Sequence, residues 1–325
     1  MATLKDVARE AGLTVTTVSR VLNNRGYISE DARKKVADAM KKLNYRPNEV
    51  ARSLHSKKSN TIGVIVPHIR HPYFAEMISN LENAAYKKGY KILLCNSQST
   101  KERAEEYIDI CNSNRVAGLI ICSTDVPVDI FSGMDIPVIT IERALDNATA
   151  SVVCDNKSGG QLAAERLIKA GCKKLLYLGS SSSVEMPAHQ RGTGFKEICE
   201  NEGVPCIEVD PEEASYNNMT YNEWLETVMK EHMDSDGMFA SSDIIAAQAL
   251  QVCRKLSINV PEDMKIVGFD DVVLASLTTP QLTTIHQPIK EMAEIAINLL
   301  DDAANDKLVA KQTILPVVMV ERETV

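Results

Sequence analysis

Val15, Thr16, Thr17 and Arg20 form a group with the chemistry of base-pair readout. A valine methyl can rest on the C5-methyl of thymine, threonine hydroxyls donate or accept at base edges, and an arginine fork matches O6 and N7 of guanine. A helix that needed only solubility would more often carry Glu or Lys there. Further along, polar and aromatic residues follow apolar runs: His71, Tyr73 and Phe74 after residues 62–66, Glu142 and Arg143 after 138–141, and Asp155 after Val152-Val153-Cys154. In parallel α/β sheets, ligands bind beyond the carboxyl ends of the strands, so such residues are candidates for a ligand site.

The first group needs a short helix after a tight turn, and the sequence supplies both. Leu4, Val7, Ala8 and Ala11 fall at helical spacing, Thr3 can cap the first turn with Asp6 three residues on, and Gly12 ends the helix. Thr14 then caps a run whose apolar stripe is Val18, Val21 and Leu22, which is helix-turn-helix spacing. A third helix is predicted from Glu30 to Leu43, with Val36, Ala39, Met40 and Leu43 inward. The charge follows the same division. Residues 1–60 carry 13 Lys and Arg against 6 Asp and Glu, or +7, and the remainder carries 23 against 38, or −15. A basic head on an acidic body fits a module that meets phosphate beside a domain that does not.

From Thr61 onward, apolar runs alternate with amphipathic stretches. Candidate strands are 62–66, 91–95, 118–122, 138–141, 174–178, 237–240 and 265–269. That alternation predicts parallel sheets with helices on both faces, and the number of strands calls for two sheets. The eight cysteines form no CxxC pair and stand by no set of histidines, so neither zinc nor a disulfide framework is expected and they read as reduced, mostly buried thiols. No GxSxG, GxGxxG after a strand or GxxxxGK[ST] occurs, which argues against an enzyme, and no cofactor or metal is expected. The start lacks a basic segment followed by an apolar run, and no stretch approaches the roughly 18 apolar residues of a membrane span, so the expected location is the cytoplasm.

Several strings carry a family likeness. Thr3 to Ala8, Ala11 to Asn23, Asn44-Tyr45-Arg46-Pro47-Asn48 and Ala51-Arg52-Ser53-Leu54 closely resemble the DNA-binding head of the lactose-repressor (LacI/GalR) family. Arg191-x-x-Gly194-Phe195, Gly268-Phe269-Asp270-Asp271 and Thr283 to Pro288 are similar to its body. The resemblance implies a helix-turn-helix domain over 1–47, a hinge helix and linker over 48–60, and a periplasmic-binding-protein-like body over 61–325. Its two doubly wound lobes would be 61–157 plus about 286–312, and 158–285 plus about 313–325.

Operator contacts are implied at Thr3, Val15, Thr16, Thr17, Arg20, Asn23, Tyr45, Leu54 and His55. Leu54 matches a leucine that wedges between base steps of the minor groove, and His55 stands where relatives often carry a basic residue. A small effector, a sugar or sugar phosphate, is implied at Tyr73, Phe74, Arg143, Asp155, Arg191, Ser242 and Asp270, with Arg191 and Asp270 foremost. Plainer roles compete: Tyr73 or Phe74 as core, Asp155 as a helix cap, Arg191 as the partner of an acid across the cleft. Ser242 departs from the Asn that relatives place before Asp243, so the effector's identity does not carry over. The chain stops soon after its last strand, without the heptad helix of tetrameric relatives, which implies a homodimer.

The expected protein is thus a sugar-controlled transcriptional repressor, with effector binding changing the angle between lobes and hence the separation of the two hinges. A second reading is a catabolite-control regulator activated by a phosphorylated carrier protein docking on the first lobe.

Overall fold

The computed structural model describes residues 2–22, 26–45, 59–123, 126, 131, 134–143, 145, 147–179, 186–211 and 213–325. They form two compact units, Met1–Ser59 and Asn60–Val325.

In the first unit, α1 (Leu4–Ala11), α2 (Val15–Leu22) and α3 (Glu30–Lys42) enclose Val7, Ala8, Ala11, Val18, Val36 and Ala39. Thr3 and Asp6 cap α1 reciprocally: Thr3 N–H donates to Asp6 Oδ2 at 2.9 Å and Asp6 N–H to Thr3 Oγ1 at 3.4 Å. Gly12 ends α1 at φ 64°, where a side chain would be strained. The next helix starts at once, because Thr14 Oγ1 accepts the N–H of Thr17 at 3.1 Å. Ser29 caps α3, whose first turn carries Glu30 and Asp31 and whose last carries Lys41 and Lys42, in line with the helix dipole.

The second unit continues as β1 (Thr61–Val66), α4 (Pro72–Lys87), β2 (Lys91–Asn96), α5 (Lys101–Ser113), β3 (Gly118–Ile121), β4 (Val138–Ile141), β5 (Ala150–Cys154) and α6 (Asn156–Lys169). It proceeds through β6 (Leu175–Leu178), α7 (Gln190–Glu202), β7 (Cys206–Val209), α8 (Glu213–Asn218), α9 (Asn222–Glu231), β8 (Gly237–Ala240), α10 (Asp243–Lys255) and β9 (Lys265–Asp270). It closes with α11 (Val273–Leu277), β10 (Thr283–His286), α12 (Ile289–Ala304), β11 (Gln312–Leu315) and β12 (Val318–Val320).

Two six-stranded sheets result, in the orders β11-β5-β4-β3-β1-β2 and β12-β10-β9-β8-β6-β7. Every pairing is parallel except that of β10 with β12. Strands such as β3, β4 and β8 are buried throughout, which is why they read as continuous apolar runs. In each sheet the strand order reverses next to the edge strand, at β1 in one and at β6 in the other. The crevice between their neighbours opens at the carboxyl ends.

The chain passes between the sheets after β5, after β10 and after β11. The last passage lies further on than the sequence reading placed it. Residues 313–315 belong to the first sheet, since Leu315 pairs with Cys154 and accepts the N–H of Asp155 at 2.8 Å. Pro316 has no N–H with which to extend that ladder, so the crossing falls there. The eight cysteines are free, and all but the half-buried Cys206 are buried. Among the described residues no helix is long and apolar enough to cross a membrane.

Candidate functional site

On the head, Val15 is 40% exposed at the start of α2, and Thr16 and Arg20 are exposed on the same helix. They stand together because Val18 turns the opposite face of α2 into the core. Thr17 is half-buried, its hydroxyl 2.8 Å from that of Thr14, so it helps hold the turn. Thr3 is exposed, but its hydroxyl donates to Asp6 Oδ2 at 2.7 Å, and this bonding holds the Asp6 carboxyl below its usual range. Tyr45 is half-buried against the core of the head. Asn23, Leu54 and His55 lie outside the described residues.

In the body, a buried polar cluster occupies the carboxyl ends of both sheets, centred on Arg191 in the first turn of α7. Arg191 is 6% exposed. Its Nε donates to Asn156 Oδ1 and its Nη1 to the carbonyl of Ser241, both at 2.7 Å. Glu142, which follows β4 in the first sheet, lies 3.8 Å from Nη2, and Asp270, the last residue of β9 in the second, lies 3.9 Å from Nη1. The guanidinium stacks 3.6 Å from the centroid of the Phe269 ring. One side chain therefore binds to groups from both lobes.

Glycines set this position. A Cβ on Gly160 of α6 would run into the carbonyl of Arg191, and one on Gly194 of α7 into that of Lys157. A Cβ on Gly159 would sit 2.6 Å from the Phe269 ring. With no side chains in the way, α6 and α7 approach closely enough to bring Arg191 onto that ring.

Burial is the main influence on Asp270, lifting its carboxyl to about 7, while Arg191 and the bond from Gln287 Nε2 at 2.6 Å pull the other way. The backbone is strained at these strand ends: φ is 52° at Glu142, 115° at Asp270 and 58° at Asp271. Glu142 is fixed by the N–H of Cys154 at 2.6 Å and by Asn156 Nδ2 at 2.9 Å.

Tyr73 in the first turn of α4 is buried, and its hydroxyl has no partner. Burial raises its pKa, as do the charges of Glu142 and Asp270. The fold thus brings Tyr73, Arg191 and Asp270 to one place. Phe74 is half-buried, its ring edge-on to Tyr73 at 5.1 Å and to His71 at 5.5 Å.

The other anticipated residues have structural work. Asp155 caps α6, accepting Ser158 N–H at 3.0 Å and its hydroxyl at 2.7 Å. Arg143 gives Nη1 to the carbonyl of Ser123 and Nη2 to that of Val126, fixing the segment after β3. Ser242 precedes α10 without capping it, and it is the carbonyl of its neighbour Ser241 that meets Arg191.

Asn156, Ser241 and Gln287 were not singled out as contacts from sequence, whereas Glu142 stood among the strand-end candidates. Glu142, directly after β4, carried the one usable signal, its strand-end position. Asp243 is fully buried and braces the second lobe, accepting Thr284 Oγ1 at 2.5 Å and Val272 N–H at 3.0 Å.

The fold and these two sets of residues define a helix-turn-helix head joined to a two-lobed body of the ligand-binding kind. Residues 3–48 match the family described as bacterial regulatory proteins, lacI family, and residues 164–325 match a periplasmic binding protein-like domain. The chain is 35% identical to the ribose operon repressor of Halalkalibacterium halodurans over 325 residues, 100% of this chain and 97% of that one.

A lac repressor dimer bound to operator and the anti-inducer ONPF superposes with a TM-score of 0.88 at 25% identity, over 99% of this chain and 98% of that one. A LacI transcriptional regulator from Alkaliphilus metalliredigens complexed with D-xylulofuranose matches 82% of this chain and 99% of its own at 32% identity and a TM-score of 0.74. The chain belongs to the LacI family of bacterial regulatory proteins, DNA-binding transcriptional repressors rather than enzymes.

Proposed function

We propose that this chain is a cytoplasmic, homodimeric repressor of carbohydrate-utilisation genes whose sugar effector binds between the lobes. Val15, Thr16 and Arg20 read base edges, Thr3, Thr17, Asn23 and Tyr45 support that contact, and Leu54 with His55 enters the minor groove. Two heads on one near-palindrome combine their contacts through effective concentration, so dimerisation belongs to the mechanism. Tyr73, Arg191 and Asp270 meet the effector.

The observation that carries the reading is the position of Arg191, which joins Glu142 of one lobe to Ser241 and Asp270 of the other. A ligand that changes its partners must favour one lobe arrangement over another, and only such a preference can shift operator affinity. The ribose and D-xylulofuranose in the names of the relatives above support a sugar as that ligand.

The test is fluorescence anisotropy of the full-length protein, at fixed salt, on a duplex selected from a random-sequence pool. Binding is expected to exceed that to scrambled duplex by at least about a thousandfold, to change when the inducing sugar is added, and to weaken in Leu54→Ala. Equal affinity for selected and scrambled duplex, with and without sugars, would refute the proposal.

A further inference from the structure

We infer that Cys206 and Cys199 form an oxidation site: hydrogen peroxide converts Cys206 to the sulfenic acid, and Cys199 resolves it to an intramolecular disulfide. The packing of α7 against β7 places the two for this. Lys196 and Cys199 are three residues apart on α7 and so share a face, and Cys206 and Glu208 are two apart on β7 and so share a side. The Lys196–Glu208 ion pair joins those two faces. One step nearer the connecting loop, the Cys199 thiol donates a hydrogen bond to the Cys206 sulfur. That loop is short and closed: Gly203 ends α7 at φ 66°, and Val204 N–H donates to the Cys199 carbonyl at 2.9 Å.

The two sulfurs differ in their surroundings. Cys199 is 1% exposed, whereas Cys206 is half-buried on the edge strand of the second sheet. The bond from Cys199 favours the Cys206 thiolate, as does the ammonium of Lys196, against burial and the charges of Glu208 and Glu200. Cys199 is pushed the other way, as the donor of that bond and by its burial. A thiolate that solvent can reach, beside a second thiol, is the arrangement in which peroxide oxidation is selective. Cys95 and Cys111 supply the contrast within the same chain: their thiols are also hydrogen-bonded, but they lie in the core at 2% and 0% exposed.

The Cys206 thiolate attacks one peroxide oxygen. The S–O bond forms as the O–O bond breaks, and the departing hydroxide takes up the thiol's proton to leave as water. The Cys199 sulfur then attacks the sulfenic sulfur, and its proton leaves with the hydroxyl as a second water. Two thiols are oxidised to one disulfide and one peroxide is reduced to two waters. The bond ties the last turn of α7, whose first turn carries Arg191, to the edge strand β7.

The experiment exposes the reduced full-length protein to hydrogen peroxide, unfolds it in urea with iodoacetamide and weighs its tryptic peptides. Residues 197–230 form one peptide that holds Cys199 and Cys206 and no other cysteine. It is expected to lose two hydrogens, to escape alkylation and to regain both thiols in dithiothreitol. It should react at least about tenfold faster than the peptides of Cys95 and Cys111. In Cys206→Ser, Cys199 should stay reduced, and in Cys199→Ser a cyclic 1,3-dione should label Cys206 as the sulfenic acid.

A wild-type peptide that still takes two alkyl groups when Cys95 and Cys111 have reacted would overturn the inference, whatever the variants do. So would a disulfide that joins two chains through Cys206, or oxidation of Cys199 at the wild-type rate in Cys206→Ser.

Discussion

In the head, Val15, Thr16 and Arg20 stand exposed within two turns of a single helix. In the body, Tyr73, Glu142, Arg191, Asp270 and Gln287 come from five separate segments; Tyr73, Arg191, Asp270 and Gln287 are buried and Glu142 is half-buried. Under the proposed function, the difference follows from what each region would meet. DNA is a large surface that arrives from outside, so a local, solvated helix face suffices once the head folds. A small molecule must be surrounded, and the groups that surround it must hold one another in place while it is absent. Arg191 shows the consequence: its charge is compensated within the protein itself.

The strongest way to break this contrast is Arg191→Ala. Removing the cation leaves Glu142 and Asp270 without their shared partner, and the expected loss is about 3–5 kcal/mol. Urea unfolding followed by the fluorescence of Trp224, the single tryptophan, reads it in the body. A loss below about 1 kcal/mol would mean that the cluster does not depend on its arginine.

Arg20→Ala is the counterpart in the head. It should lower operator affinity by about 1–3 kcal/mol, relax the preference at one base pair and leave body unfolding unchanged. A body that unfolds at lower urea in this variant would show that the two regions are energetically coupled.

The smallest effect is one of pH, and its sign should differ between the regions. Asp270, raised to about 7, keeps in the folded body a proton that an unfolded chain titrating near 3.8 has released. Its contribution to stability is full below 3.8 and is lost as pH rises to about 7. Asp6 is shifted the opposite way, so its contribution is present above 3.8 and lost only as pH falls through its lowered value.

Between pH 5 and 8, body stability should fall, and Asp270→Asn should flatten the profile. Hydrogen exchange in α1 should show no such change. An equal slope in Asp270→Asn and wild type would remove Asp270 as the source.

The sequence alone determined the head, because its signals are local. Thr3 with Asp6, Gly12, Thr14 and the stripe of Val18, Val21 and Leu22 each act within a turn or two of chain. Likewise the strands of the body were legible wherever a buried run is continuously apolar. The edge strand β7, only partly buried, lacked that signature, and the crossing at Pro316 could be located only by its pairing partner.

Tertiary structure alone decided the buried cluster. Whether Arg143 holds carbonyls or Arg191 spans both lobes depends on segments far apart in the chain. Charge and hydrogen-bond compensation act through space, over a few ångströms, and only the folded chain sets those distances.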